Sequence, residues 1–262
     1  YQKGLIMVGD GANGKSKLQE IVTALFPAES VSAVPPQDME HEYKRDLLST
    51  ARLNVVSELP ESDILVSEAV KAMISGDLMV ARPIRQEPYQ FRPRAAHIFS
   101  ANALPGVKDM SQGFWRRWIV LPFNREFTTE EQDPAIAERI IDTELSEIAS
   151  WVVDGAAELN ARGRFVEPSS SSAAVAEWRE TADQVACWMR QRCDALTEGA
   201  KGTMSTELYN DYVNWAANNG HRRVSRTKFG KRLGLLGVDK KHTERGSEYG
   251  VLLKPAMQVV LG

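Results

Sequence analysis

Short apolar runs alternate with amphipathic segments along the first half of the chain. The runs are typical of strands buried in a parallel sheet, and they occur at residues 4–8, 30–34, 52–58, 95–102 and 118–123. After the first run, Leu18, Ile21 and Leu25 are spaced as on one face of a helix. Strands that alternate with helices predict an α/β domain built on a parallel sheet.

Two strand-forming segments, residues 77–84 and 89–93, flank a turn and predict a β-hairpin. Arginines occur in or beside it at positions 82, 85, 92 and 94. Arginines at a hairpin tip, such as Arg85 with Arg82 nearby, suit contact with nucleic-acid phosphates. A solvated, charged hairpin fits the same composition equally well.

The second half of the chain has mainly helical spacing. Residues 134–162 and 173–192 predict helices, and we expect Trp151 and Val152 to pack in a core or bundle. Beyond the small, polar stretch 197–202, two helices and a hairpin around Arg245 are typical of a winged helix. Winged helices bind DNA or protein, and DNA is the hypothesis carried forward.

Charge is spread unevenly along the 262 residues, which carry a net charge of −3. Residues 1–200 contain 21 basic and 30 acidic residues, whereas residues 201–262 contain 11 and 5, a local excess of +6. A basic module is typical of contact with nucleic acid or another polyanion. Lys228, Lys231 and Arg232, on the outward face of a predicted helix, are the candidate contacts.

The residues between the first strand and first helix fit the pattern G-x-x-x-x-G-K-[ST]. Glycines let such a loop curl around phosphates, and the first turn of the helix offers unpaired N–H groups. We expect Lys15 to reach the β- and γ-phosphates of ATP and Ser16 to ligate Mg²⁺. The predicted nucleotide-binding residues are Gly9, Asp10, Gly11, Ala12, Asn13, Gly14, Lys15, Ser16 and Lys17.

Glu58 ends the apolar run 52–58. The carboxyl end of a parallel strand meets the phosphate loop, so Glu58 is the candidate to hold the Mg²⁺ shell and polarise an attacking water. Two adjacent acids commonly divide this work, but Ser57 precedes Glu58 here. Glu61 and Asp63 are nearby acids that could share it, and a merely exposed glutamate is the alternative.

Three further polar residues adjoin buried strands. Asn102 ends the run 95–102 and could orient the lytic water or contact the γ-phosphate. Arg116 and Arg117 precede the last strand. Arginine can neutralise charge on a transferring phosphoryl group, often from a neighbouring subunit.

Other chemistries find little support. Cys187 and Cys193 are six apart in a helical pattern, which favours neither a disulfide nor a zinc site. The four histidines are scattered. There is no signal peptide and no apolar run near the ~20 residues of a membrane span. We therefore expect a soluble, cytoplasmic protein, and a fragment, since the chain begins inside a strand-forming run.

The order of these motifs resembles the superfamily III helicase domain of the phage and plasmid primase family, over about the first 190 residues. The resemblance lies in GDGANGKS, the Glu58 strand, the segment with Lys71, Gly76-Asp77 and Arg82, SAN at 100–102, Leu104-Pro105 and WRRWIVLPF. It implies an AAA+-like core, and the C-terminal module resembles the winged helix that ends such proteins.

The resemblance also implies roles for individual residues. Glu58 would be the acidic motif, Asn102 the sensor and Arg117 the arginine finger from the next subunit of a hexamer, with Arg116 as its competitor. The hairpin around Arg85 would grip single-stranded DNA in the central channel, where family members often carry lysine or histidine at the tip. A primase-polymerase domain would precede this segment, in a bacterial host's cytoplasm.

These inferences predict an α/β protein with an AAA+-like phosphate-loop core at residues 1–165, a helical extension at 166–200 and a winged helix at 201–262. The predicted function is an ATP-driven DNA helicase that encircles single-stranded DNA and also contacts duplex DNA. One alternative is an ATP-switched DNA-binding initiator without motor activity. Another is a phosphate-loop phosphotransferase, which would not need the arginine pair or the basic module.

Overall fold

A computed structural model describes residues 1–59, 64–65, 67–107, 110–197, 199–221, 223–244 and 246–255. Glu61, Asp63 and Arg245 lie outside the described residues. The chain divides into two compact units, one from Tyr1 to Arg179 and one from Glu180 onward. Within the described part, no helix combines the length and apolar character that crossing a bilayer requires.

The first unit is built on a parallel sheet. Its strands are β1 (Gly4–Val8), β2 (Val31–Ser32), β3 (Leu53–Leu59), β4 (Ile64–Leu65), β5 (Met79–Ala81), β6 (Tyr89–Phe91), β7 (Ala96–Ala101), β8 (Gly106–Val107) and β9 (Trp118–Pro122). Among the described residues, five of them pair in parallel in the order β2-β3-β7-β1-β9. The predicted parallel sheet is confirmed. The insertion of β7 between β3 and β1 brings three strand ends side by side.

Helices cover the sheet. They are α1 (Lys15–Ala24), α2 (Glu42–Ser49), α3 (Ser67–Ser75), α4 (Gln112–Trp115), α5 (Ile136–Arg162) and α6 (Ser169–Ala182), with 3₁₀ turns at Ala28–Ser30 and Pro36–Glu40. Most side chains of the central strands are apolar, as is typical of a parallel sheet covered by helices, and Ile6, Phe99 and Val120 are completely buried. Asn54 of β3 and His97 and Ser100 of β7 are buried polar residues within them. The antiparallel pair β5–β6 and the parallel pair β4–β8 lie outside this sheet.

One prediction about packing in this unit is wrong, namely that Trp151 and Val152 pack in a core or bundle. Trp151 is 74% exposed and Val152 is also exposed. The reason is length, because the 27 residues of α5 span about 40 Å, roughly twice the length of a strand of this sheet.

The second unit has its own core. Its helices are α7 (Gln184–Arg192), α8 (Ser205–Asn218) and α9 (Arg226–Leu235), and its strands are β10 (Cys193–Ala195), β11 (Thr203–Met204), β12 (Lys240–Thr243), β13 (Gly246–Tyr249) and β14 (Val251–Leu253). Trp188, Tyr212 and Phe229 from the three helices pack their rings against one another and are buried. Strands β11, β13 and β12 form an antiparallel sheet, and β10 pairs with β14.

The single helix predicted over 173–192 is two helices. The chain breaks at Asp183, whose side chain accepts a hydrogen bond from the Ala186 amide at 3.2 Å and so caps α7. Asp183 is only 5% exposed. Since Val185 and Trp188 of α7 belong to the core of the second unit, this unit begins upstream of residue 201.

Candidate functional site

A glycine-rich loop joins β1 to α1 at the carboxyl edge of the parallel sheet. Gly9 has φ of +154°, and a Cβ there would lie 2.4 Å from the carbonyl oxygen of Phe123. Gly14 precedes α1 with φ of +88°, a value that L residues with side chains rarely adopt. The path of the loop therefore depends on glycine at both positions.

The first turn of α1 points N–H donors into this loop. The Leu18 amide donates to the Gly14 carbonyl at 3.0 Å, so the amides of Lys15, Ser16 and Lys17 precede the first intrahelical bond. These groups lie at the positive end of the helix dipole and favour anions. The donor set and the glycine cradle fit a polyphosphate.

Lys15 holds the loop from the inside. Its side-chain nitrogen donates to the carbonyl oxygens of Gly9 and Asp10 and to Oδ1 of Asn13, the last two at 3.1 Å. Burial lowers the pKa of Lys15, and the nearby carboxylates of Asp10 and Glu58 oppose this shift. A partly desolvated ammonium surrounded by oxygen acceptors is suited to binding phosphate oxygens.

Asn13 braces the loop against the chain that leaves β9. Its side-chain nitrogen donates to the Asp10 carbonyl and, at 3.3 Å, to the Phe123 carbonyl. The Phe127 amide donates to the Ala12 carbonyl at 2.9 Å. The segment that follows β9 thus forms one side of the loop's surroundings.

Glu58 and Asn102 lie beside the loop at the ends of β3 and β7. The pairing of these strands shifts register between Val56 and Leu59, which leaves Ser57 and Glu58 in an irregular, exposed stretch. The Asn102 side chain donates to Oε1 of Glu58 at 3.4 Å. The structure therefore brings together Lys15, Glu58 and Asn102, three of the candidates from the sequence.

A cleft of about 700 Å³ contains these groups, and Ser16 and Ser57 also line it. Phe127, Pro134 and Ile136 also line the cleft, and the sequence did not predict their place in it. The available signal was Phe127, a lone aromatic residue in the polar run between residues 124 and 135.

The donor set for a divalent cation is small. No group of three or more His, Cys, Asp or Glu residues that could hold a metal gathers within the described ranges. The Ser16 hydroxyl and the Glu58 carboxylate both line the cleft. They fit Mg²⁺, which keeps several waters and binds through few protein ligands together with phosphate oxygens.

The arginine pair directly precedes β9 and lies at the amino ends of the parallel strands, whereas the glycine-rich loop lies at their carboxyl ends. Arg117 donates through Nε and Nη2 to the Ser75 hydroxyl at 2.9 and 2.7 Å, and through Nη1 to the Gly113 carbonyl. Arg116 is exposed and donates to Gln2 Oε1 at 2.8 Å. The backbone of Arg117 pairs with Gly4, at the start of β1. The structure does not bring either guanidinium to the loop of its own chain.

The β5–β6 hairpin carries the predicted DNA contacts Arg82 and Arg85. Arg82 donates to the Gln86 carbonyl at 3.0 Å and lies 3.7 Å from Glu42. Arg85 is exposed at the turn with φ of +61°, and Ile84 beside it is 77% exposed. The tip thus presents one cation, one apolar side chain and, at Glu87, one exposed carboxylate.

The predicted contacts on α9 separate into two kinds. Lys228 and Lys231 are exposed. Arg232 instead forms an ion pair with the buried Asp183 through Nε and Nη2. Its guanidinium therefore serves the packing of the second unit, in contrast to the outward face predicted for it.

The part of the chain that contains the candidate site is also similar to known proteins. A family model described as "Family of unknown function (DUF5906)" matches residues 7–117, which include the glycine-rich loop, Glu58, Asn102 and the arginine pair. "Putative helicase L207/L206" of Acanthamoeba polyphaga mimivirus is 30% identical over 47% of this chain, and "Putative helicase 022R" of Frog virus 3 is 27% identical over 86%. The chain spans only 13% and 25% of their lengths.

A solved structure described as "The apo structure of NrS-1 C terminal region" is similar over 97% of this chain and 67% of its own, with a TM-score of 0.55. The sequence identity is 11%, so this similarity is one of fold.

Proposed function

We propose that this chain is the ATP-hydrolysing motor of a DNA helicase in a replication protein, with an AAA+-like phosphate-loop core and a C-terminal winged helix. The proposal rests chiefly on one observation. The sheet order gathers the glycine-rich loop, Glu58 and Asn102 at one edge, while the arginine pair stands at the other. The helicase names of the two viral relatives support it.

In this proposal the loop and the first turn of α1 bind the triphosphate of ATP. The Lys15 ammonium exchanges its loop oxygens for β- and γ-phosphate oxygens. The Ser16 hydroxyl would ligate Mg²⁺, and Glu58 would hold a water of the ion's shell. Bound Mg²⁺ would neutralise charge on the phosphates. Lys17 contributes its backbone amide, since its side chain forms an exposed pair with Glu20 at 3.2 Å.

Glu58 is the general base of the proposed hydrolysis. Its carboxylate accepts the proton of the attacking water, and no second acid precedes it because residue 57 is serine. Asn102 acts as a positioning residue through its contact with Oε1 of Glu58.

In this proposal the arginines act on a second copy of the chain. Between Gly4, which pairs with Arg117, and the end of β1, the strand rises about 13 Å. A guanidinium at that edge can serve a neighbouring subunit's triphosphate instead, as the ring of a hexamer would allow. Arg116 fits this role better than Arg117, because Arg116 is exposed whereas Arg117 is bonded to Ser75 and Gly113.

DNA contact is assigned to both units. Arg85 and Arg82 on the β5–β6 hairpin would meet single-stranded DNA in the ring's channel. In the second unit, Lys228 and Lys231 on α9 would meet duplex phosphates. A primase domain upstream in the intact protein belongs to the same proposal.

The test measures ATP hydrolysis with and without single-stranded DNA, and particle mass with and without a non-hydrolysable ATP analogue. We expect stimulation by DNA and a nucleotide-dependent oligomer. Lys15→Ala should abolish nucleotide binding, whereas Arg162→Ala, which removes an exposed pair with Glu158 on α5, should change nothing. Full DNA-stimulated hydrolysis by Lys15→Ala, or by a stable monomer, would contradict the proposal.

A further inference from the structure

Six apolar side chains line the cleft besides its polar groups. Here called the apolar slot, they are Leu18 and Ile21 of α1, Phe127 and Pro134 after β9, and Ile136 and Ile140 of α5. Although α1 packs against α5, Leu18 and Ile136 are each 38% exposed. Apolar surface left open beside a phosphate-binding loop is suited to a ligand with a flat, apolar part.

Sheet order fixes the orientation of a ligand in this cleft. β7 and β3, which carry Asn102 and Glu58, lie on one side of β1, and β9 lies on the other. The segment after β9 reaches the slot, since Phe127 bonds to Ala12 of the loop. A triphosphate on the loop with its γ-phosphate toward Glu58 therefore directs the rest of the nucleotide toward the apolar slot.

The polar side chains beside the slot already have partners within the chain. Glu131, Gln132 and Asp133 line the same cleft. Glu131 accepts hydrogen bonds from the Thr128 amide and from Arg125 Nη2, each at 3.0 Å. Gln132 Nε2 donates to the Phe127 carbonyl at 2.9 Å. Asp133 accepts hydrogen bonds from the Ala135 amide at 3.0 Å and from Arg139. These bonds hold the segment in shape and direct Glu131, Gln132 and Asp133 toward partners within the chain.

We propose that the apolar slot binds the nucleotide base by its ring faces and discriminates weakly between the four bases. The inference rests on the proposed function, because it takes the triphosphate to lie on the glycine-rich loop. Apolar contacts distinguish related ligands by roughly 10- to 200-fold, whereas fixed hydrogen bonds reach roughly 10⁴-fold or more. The slot offers the first kind of contact.

Calorimetric titration of the full chain with ATP, GTP, CTP, UTP and inorganic tripolyphosphate, each with Mg²⁺, tests this inference. We expect the four nucleotides to bind with dissociation constants within about 100-fold of one another. Leu18→Ala and Ile136→Ala should weaken all four by about fivefold and leave tripolyphosphate unchanged. Val152→Ala is the matched control, since Val152 is exposed on the same helix as Ile136 and does not line the cleft.

Three outcomes would overturn the inference, and one of them would also overturn the proposed function. A preference for one base above about 1,000-fold would reveal hydrogen-bonded reading of the base edge. An equal loss of tripolyphosphate and nucleotide binding in the slot variants would show that the slot only supports the loop. Failure of wild-type protein to bind either ligand would also remove the proposed function, whereas the first two outcomes would leave it intact.

Discussion

The side-chain nitrogen of Asn102 lies 3.4 Å from Oε1 of Glu58, across the adjoining ends of β7 and β3. The contact depends on β7 entering the sheet between β3 and β1, since no local pattern brings residues 44 positions apart together. It orients a carboxylate that stands in an irregular stretch of strand, next to Lys15.

Glu58→Gln should separate binding from hydrolysis. Glutamine keeps the shape of the side chain and an oxygen for the Asn102 amide, but it cannot accept a proton from water. We expect kcat for ATP to fall at least about 100-fold, with the dissociation constant for ATP changed less than about threefold. Glu20→Gln, on the exposed side of α1, is the control. A Glu58→Gln protein with near-normal kcat would exclude this glutamate as the base.

Arg116 and Arg117 should respond differently to removal. Arg116→Ala should lower ATP hydrolysis about 1,000-fold without lowering the free energy of unfolding, because the finger acts on another subunit's phosphate. Arg117→Ala should lower the free energy of unfolding by about 2 kcal/mol, since it removes charged hydrogen bonds to Ser75 and Gly113. Urea titrations and ATPase rates distinguish the two.

Mixing two inactive variants tests directly whether Arg116 acts on a neighbouring subunit. Arg116→Ala and Lys15→Ala proteins are each inactive, but a mixed ring contains some interfaces with an intact Lys15 from one subunit and an intact Arg116 from the next. Activity should therefore reappear on mixing. No recovery, in rings shown to exchange subunits, would contradict action between subunits.

The sequence predicts well what is local. The strand β1, the glycines of the loop and α1 follow from adjacent residues, and the parallel sheet follows from separate apolar runs. The apolar slot could not be predicted, because Leu18 and Ile136 are more than 100 positions apart and meet only through the packing of α1 and α5. The exposure of Trp151 was missed for a related reason, since apolar spacing shows one face of a helix but not what covers it.

The basic residues of α9 should separate into DNA contacts and a packing residue. Lys228→Ala and Lys231→Ala should weaken duplex binding and reduce its logarithmic salt dependence by about 1 each, with stability unchanged within about 0.5 kcal/mol. Arg232→Ala should instead destabilise the second unit by about 3 kcal/mol, because it leaves Asp183 buried without its cation. Salt-dependent binding isotherms and urea unfolding measure both effects. Equal salt slopes for wild type and Lys228→Ala would remove that lysine from the DNA surface.

Acid should destabilise the first unit through His97. This residue is 2% exposed on β7, where burial lowers the pKa of its imidazole to about 4, while the unfolded chain has the ordinary value near 6.5. The folded state thus binds fewer protons than the unfolded state between these values, so stability is complete above about pH 6.5 and falls as the pH drops toward 4. The loss should reach about 2 kcal/mol at pH 5.

His97→Phe isolates this contribution. Phenylalanine keeps a ring that can stack on Phe99, as His97 does with centroids 6.1 Å apart, and it has nothing to protonate. Urea unfolding of the first unit measures its free energy of unfolding at pH 7 and at pH 5. The difference between the two values should be about 2 kcal/mol smaller in this variant than in the wild type. The exposed His41 provides the control, and His41→Gln should behave as wild type. An acid-induced loss of the same size in His97→Phe would show that other groups cause it.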